Sequence, residues 1–268
     1  MEKDLVKPVK GFVQVENLSV SFNRNGKSIQ VLDSINFKIN PGEFICLLGP
    51  SGCGKSTILN VVAGFLKPTS GFVFVDKRHV DSPGADRGFV FQQYSLLPWK
   101  TTFQNVEFGL KIQGVPKVKR EQLVNEYLNR VGLYKHRHSY PHQLSGGMQQ
   151  RASIIRALVN SPSVLLMDEP FAALDAQTRH MMQELLLNIW SDLKLTVIFV
   201  THDIEEAVFL SDKIFVMGVN PGRIKEKIEV TLERPRHGDV MLSREFLELN
   251  RRIFESIREE TLKSMEMD

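Results

Sequence analysis

The chain has 268 residues, 34 basic and 31 acidic side chains, and a formal charge of +3. So small an excess argues against a nucleic-acid partner recruited by charge, and the length suffices to bury a substantial core as one large domain or two small ones. The two cysteines, Cys46 and Cys53, form no metal-ligand pattern, so a reducing setting is expected.

The opening "MEKDLVKPVKG" alternates charges without an apolar centre and does not read as a secretory signal. No apolar run reaches the roughly 18 residues that a membrane span needs. The reading is a soluble chain whose link to a membrane comes through a partner. "FVQVENLSVSF" and "INFKI" alternate apolar and polar residues as half-buried strands do. After a turn at Pro41, "FICLLG" is apolar throughout, as a central strand covered on both faces would be. A helix is expected from Lys55 to about Phe65, then short strands near "GFVFVD" and "GFVFQ". From Thr102 to about Asn160 apolar residues recur at helical spacing in "FQNVEFGLKI", "REQLVNEYLNRVGL" and "MQQRASIIRALVN". Strand patterns return at "SVLLMD", "TVIFVT" and "KIFVM", and an amphipathic helix follows from about Ser243. A helical block is thus set inside an α/β core. No internal repeat or low-complexity linker interrupts it.

Gly49-Pro50-Ser51-Gly52-Cys53-Gly54-Lys55-Ser56, followed by Thr57, fits G-x-x-x-x-G-K-[ST] between an apolar strand and a helix. Glycines let the backbone wrap phosphates, Lys55 reaches the β- and γ-phosphates, and the Ser56 hydroxyl can ligate Mg²⁺. Cys53 fills a variable slot. A plain glycine turn is the alternative, but spacing, flanks and residue types all favour the phosphate loop. Asp168 ends "SVLLMD", where it can hold Mg²⁺ through water, and Glu169 can orient and deprotonate an attacking water. A strand-ending acidic turn is the plainer account of that pair. His202 ends the strand "VIFVT", as a structural histidine could, yet nucleotide sites lie at the carboxyl ends of such strands. Ser145-Gly146-Gly147 opens another helix in "LSGGMQQR" and forms a second candidate anion cradle, this one without a lysine.

In order, "GPSGCGKST", "VFQQ", "LSGGMQQR", "LLMDEP", "AALD" and "VTHD" resemble the ATP-binding cassette (ABC) ATPases from about Gly11 to Gly222. The resemblance implies an α/β fold: a phosphate-loop NTPase (RecA-like) core with an antiparallel β subdomain and an inserted α-helical subdomain. It implies an ATPase domain over 11–230, the helical subdomain at about 93–160, and a helical tail over 231–268. It also answers why a second cradle is present. Two cassettes pair head to tail, and Ser145, Gly146 and Gly147 of one close on the ATP held by the other's phosphate loop. A turn without a lysine binds weakly alone but adds donors once the opposite loop holds most of the nucleotide, so ATP stabilises the closed dimer. Phe22 then falls where an aromatic stacks on adenine, with a buried strand-end Phe as the competing reading. Gln92 matches the glutamine that contacts Mg²⁺ and the attacking water, Asp175 an acid that crosses the dimer interface, and His202 the histidine on the γ-phosphate.

Leu96, Leu97, Pro98 and Trp99 are too apolar for an ordinary exposed loop and are expected to face a partner, unless they pack within the helical block. "LLPW" and the short tail are similar to the ATPases of nitrate, taurine and aliphatic sulfonate importers. That group implies ATP and Mg²⁺, a second (identical) ATPase subunit, membrane permease subunits, a solute-binding protein, no nucleic acid, and a peripheral place on the cytoplasmic face of the inner membrane. A soluble non-transport cassette in translation or DNA repair is the alternative, though such chains usually carry two cassettes or a long coiled coil. A phosphate-loop kinase would leave the signature turn unexplained.

Overall fold

The computed structural model describes residues 10–24 and 26–265, so the charged amino-terminal stretch read above lies largely outside the described residues. The first described elements are an antiparallel pair, β1 (Val13–Arg24) and β2 (Lys27–Ile39). The alternation of β1 slips between Val15 and Leu18, both buried. A register shift there, with Asn17 at φ +47°, absorbs the slip and returns the apolar side chains to one face.

Next come β3 (Phe44–Leu48), α1 (Lys55–Ala63), β4 (Ser70–Val75), β5 (Arg78–His79) and β6 (Arg87–Val90). Three helices follow: α2 (Thr102–Ile112), α3 (Lys117–Arg130) and α4 (Gly146–Leu158). The chain then runs through β7 (Val164–Asp168), α5 (Ala176–Leu193), β8 (Thr196–Thr201), α6 (Ile204–Leu210), β9 (Lys213–Gly218) and β10 (Arg223–Glu229). The last described element is α7 (Arg244–Met265). The strands form a four-stranded antiparallel sheet, β2-β1-β4-β5, and a six-stranded sheet, β10-β9-β3-β8-β7-β6. The second is parallel from β9 to β6, with β10 antiparallel at its edge.

Period-2 geometry explains why the central strands are apolar throughout. Phe44, Cys46 and Leu48 of β3 join a core with α2 to α7, while Ile45 and Leu47 face α1 and the antiparallel sheet. Strand β8 divides the same way, Val197 and Phe199 to one core and Ile198 and Val200 to the other. The helices α2 to α4 stand between β6 and β7 in the chain. Among the described residues no helix is long and apolar enough to cross a membrane.

Helices α5 and α6 and strand β10 go beyond the elements read from the sequence. The two apolar residues of β10 in "RIKEKIE", Ile224 and Ile228, are four apart, which would put them on one face of a regular strand. An irregularity in its pairing with β9 between Ile224 and Glu226 turns them to opposite faces, Ile224 toward the core shared with α1 and Ile228 toward the helical core.

Candidate nucleotide-binding site

Four adjacent strands of the parallel sheet deliver the candidate residues from their carboxyl ends. Strand β3 runs into the phosphate loop, β8 into His202, β7 ends at Asp168, and β6 leads to Gln92. Gly54 caps α1 at φ +96°, a left-handed backbone that favours glycine, and Lys55 is the first helical residue. Lys55 is only 5% exposed, and its ammonium donates to the carbonyls of Gly49 and Pro50, each at 2.8 Å. Cys53 is buried within the loop, and burial pushes its thiol up against the lowering effect of Lys55. A cleft of about 340 Å³ opens in front, lined by Val31, Ser51, Gly52, Gly54, Lys55, Ser56, Thr57, Gln92 and Glu169. Val31 comes from β2 and carries no motif, so nothing in its local sequence points to the site.

The acidic side is bonded to the loop. Ser56 Oγ donates to Asp168 Oδ1 at 2.9 Å. Burial raises the Asp168 carboxyl above its ordinary range; the Ser56 bond opposes this and the Glu169 charge adds to it. Glu169 sits at φ +42° with its N–H on the Val200 carbonyl at 2.9 Å, a strained backbone held by the neighbouring strand. Its Oε2 lies 3.0 Å from His202 Nδ1. Beneath this pair is a cavity of about 50 Å³ lined also by Arg179, Asp203 and Glu206. Asp203 Oδ1 accepts the Glu206 N–H at 3.1 Å, and its Oδ2 lies 3.4 Å from Arg179. Glu206 is 5% exposed, and burial pushes its carboxyl up to about 7 against hydrogen bonds from Thr201 and Gln183. Arg179 and Glu206 were not read from the sequence; the one available signal was Glu206 four residues after His202.

Ser145, Gly146, Gly147 and Asp175 do not line that cleft. They form a second constellation. Ser145 caps α4, its Oγ accepting from Met148 N at 3.4 Å. A side-chain carbon on Gly147 would meet Thr178 at 2.7 Å, and one on Gly146 would meet the Tyr94 hydroxyl at 2.8 Å. Asp175 caps α5 by accepting from Thr178 N at 2.9 Å, which holds its carboxyl below the ordinary range. Phe22 is 43% exposed, which removes the reading of a buried strand-end Phe. It pairs with Ile29 on β2, two residues from the cleft-lining Val31.

Of the apolar loop after Gln92, Leu96 packs on the core and Leu97 lines a groove of about 430 Å³. Phe89, Phe108 and Ile112 line the same groove, and Trp99 is 70% exposed. A core role for Trp99 is therefore excluded.

The family model described as ABC transporter matches residues 32–172. An uncharacterized ABC transporter ATP-binding protein of Methanocaldococcus jannaschii is 50% identical over 94% of each chain. A nitrate import ATP-binding protein of Synechocystis is 46% identical over 87% of this chain and 89% of its own. A taurine import ATP-binding protein of Pelagibacter ubique is 46% identical over 79% and 80%. Among solved structures, a dimeric ATP-binding cassette in a post-hydrolysis state bound to ADP and Pi matches with a TM-score of 0.73 at 33% identity, covering 82% of this chain and all of that one.

Proposed function

The chain belongs to the ABC transporter family and is an ATPase, and we propose that it is the ATP-hydrolysing subunit of an importer for a small solute such as nitrate, taurine or another sulfonate. The observation that carries the reading is the pairing of a phosphate-loop cleft with a bonded Glu169–His202 pair at its mouth. Similarity to nitrate and taurine import subunits supports the direction of transport and the solute class.

In this reading Lys55 exchanges its two carbonyl partners for the β- and γ-phosphates, and the N–H groups at the start of α1 add their partial charge. Glu169 accepts the proton of the attacking water. Its contact with His202 Nδ1 orients the carboxylate, and with N–H at both ring nitrogens His202 would donate to Glu169 and to a phosphate oxygen together. Magnesium suits the donors present, since a hydroxyl, a carboxylate and an amide oxygen are hard ligands. Among the described residues no group of three or more His, Cys, Asp or Glu side chains could hold a metal unaided. Ser56, Gln92 and Asp168 would therefore hold the ion together with phosphate oxygens, where it would neutralise phosphate charge.

The signature turn lacks a lysine and stands outside the cleft, so we assign it to the nucleotide of a second copy in a head-to-tail dimer. The dimeric cassette of similar fold supports this assignment. The groove along Leu97, Phe108 and Ile112, with Trp99 beside it, is assigned to a cytoplasmic segment of a membrane permease. That places the subunit on the cytoplasmic face of the membrane as a peripheral component, with a solute-binding protein completing the complex. The test is ATP-dependent uptake by the whole complex offered nitrate, taurine and alkyl sulfonates in turn. Solute uptake that proceeds unchanged with Glu169→Gln would contradict the proposal, as would failure of any permease to co-purify.

A further inference from the structure

The carboxyl-terminal helix α7 is far from the cleft in sequence but is joined to the back of the phosphate loop. Phe246 and Ile253 bury one face of α7 in the helical core. Near its end Glu260 is 1% exposed, a burial that carboxylates bear only when they are paired. Its Oε2 accepts the Val219 N–H at 3.2 Å, and its Oε1 lies 3.4 Å from Lys225 Nζ. Lys225 also donates to the Ser256 carbonyl at 3.0 Å, so β10 grips α7 at Glu260 and one turn before it.

Val219 begins the turn between β9 and β10, and the other end of that turn touches the nucleotide site. Gly222 donates to the Val31 carbonyl at 2.9 Å and accepts from Asp33 N at 3.0 Å. Its Cα faces the Cys53 carbonyl so closely that a Cβ there would collide with it. On the preceding strand, the Met217 carbonyl lies 3.0 Å from where a Cβ of Gly49 would be. Both loop residues, and Val31 of the cleft wall, are therefore backed by the segment that Glu260 anchors. Close-packed backbone has no slack to absorb a shift at one end.

We propose that Glu260 is a positioning residue for the phosphate loop: through the turn at 219–222, α7 sets where the loop backbone stands and how tightly it holds ATP. The inference rests on the nucleotide site assigned above. By linkage the coupling is reciprocal, so ATP binding must also tighten the turn and the end of α7.

The test measures MgATP affinity of the full-length chain by equilibrium dialysis, with thermal denaturation alongside. Glu260→Ala removes the acceptor for Val219 N–H and is expected to weaken ATP binding at least about fivefold, the lower range of site-to-site coupling. Glu260→Gln keeps a carbonyl acceptor and is expected to stay near the parent. Ile253→Ala cuts the core packing of the same helix without touching the turn; it lowers the melting temperature and leaves ATP affinity unchanged. Parent-like affinity in Glu260→Ala overturns the proposal, as does an equal loss in Ile253→Ala. If Glu260→Ala does not fold, hydrogen exchange on the parent decides: ATP must slow exchange at Val219 and across 256–262, and no change there overturns the coupling. Affinity that ignores Lys55→Ala would defeat the site assignment itself. Affinity that falls with Lys55→Ala but not with Glu260→Ala would defeat this inference alone.

Discussion

At the start of α1, a glycine turn is followed by a buried lysine and faces Gln92 and Glu169 across a cleft. At the start of α4, a second glycine turn is capped by Ser145 and neighboured by Tyr94, Thr178 and Asp175. Both turns aim N–H groups outward at a helix end, worth about half a positive charge. The first carries the buried Lys55 and lies beside Asp168 and Glu169, whereas at the second Arg151 bonds the Gly147 carbonyl and Asp175 caps the next helix. A helix terminus is a general anion cradle, and its surroundings decide whether it binds a nucleotide alone or completes a site built elsewhere.

The largest expected effect falls on the first region. Glu169→Gln should cut hydrolysis by roughly 10²- to 10⁴-fold, the range for losing a general base, while equilibrium ATP binding stays intact. Near-parental turnover in a steady-state phosphate-release assay would remove Glu169 from the proposed chemistry. Next is the second region. Ser145→Arg should lower hydrolysis by at least about 10²-fold, as loss of preorganised donors does, yet leave the ATP affinity of an isolated subunit unchanged. The lost helix cap adds only about 1 kcal/mol of destabilisation. An equal loss of affinity in the isolated subunit would merge the two regions into one site.

The two regions should also differ in their response to pH. Glu206, beneath the Glu169–His202 pair, has its carboxyl raised by burial to about 7 from 4.5. The native protein keeps this proton where the unfolded chain has released it. Its contribution to stability is thus fully present below pH 4.5 and lost as the pH rises through about 7. Arg179, Asp203 and the ring of His202 line the same cavity, while Gln183 donates to Glu206. Glu206→Gln should flatten the fall in urea-unfolding stability between pH 5 and 8, a change on the order of 3 kcal/mol at most. A parent-like slope in this variant would assign the pH dependence to other groups. Asp175, beside the signature turn, has the opposite sign: its carboxyl is lowered by the Thr178 amide, so its contribution is lost only as the pH falls below 3.8. The smallest effect is at Trp99, outside both regions. Trp99→Ala should change folding stability by less than about 0.5 kcal/mol, as exposed sites do, while permease pull-down weakens. A large drop in melting temperature would return Trp99 to the core.

Much of this was legible because the motif residues sit at strand ends, where pattern and chemistry coincide. The apolar runs before Gly49, Asp168 and His202 marked central strands, and the candidate residues were read from the positions that follow those runs. What stayed hidden depends on tertiary neighbours. Val31 reaches the cleft from a strand of the other sheet, and Glu206 becomes a high-pKa acid only because α6 buries it. Glu260 and Val219 are 41 residues apart, and no local pattern joins them. Composition and spacing displayed both glycine turns, but only the family resemblance separated them into two places; in the fold, Ser145, Gly146 and Gly147 lie outside the cleft of the phosphate loop.

The central claim is that one chain holds half of each site. Lys55→Ala disables the phosphate loop and Ser145→Arg disables the signature turn, and each variant alone is expected to be inactive. Mixing them allows a heterodimer in which the intact loop of one subunit faces the intact signature turn of the other. The decisive measurement is ATP hydrolysis by that mixture. The account predicts that activity returns on mixing, to about a quarter of the parent's level with random pairing, because half of the dimers are mixed and one of two sites is whole in each. A mixture as inactive as its components would contradict it and place both turns in a site within one chain.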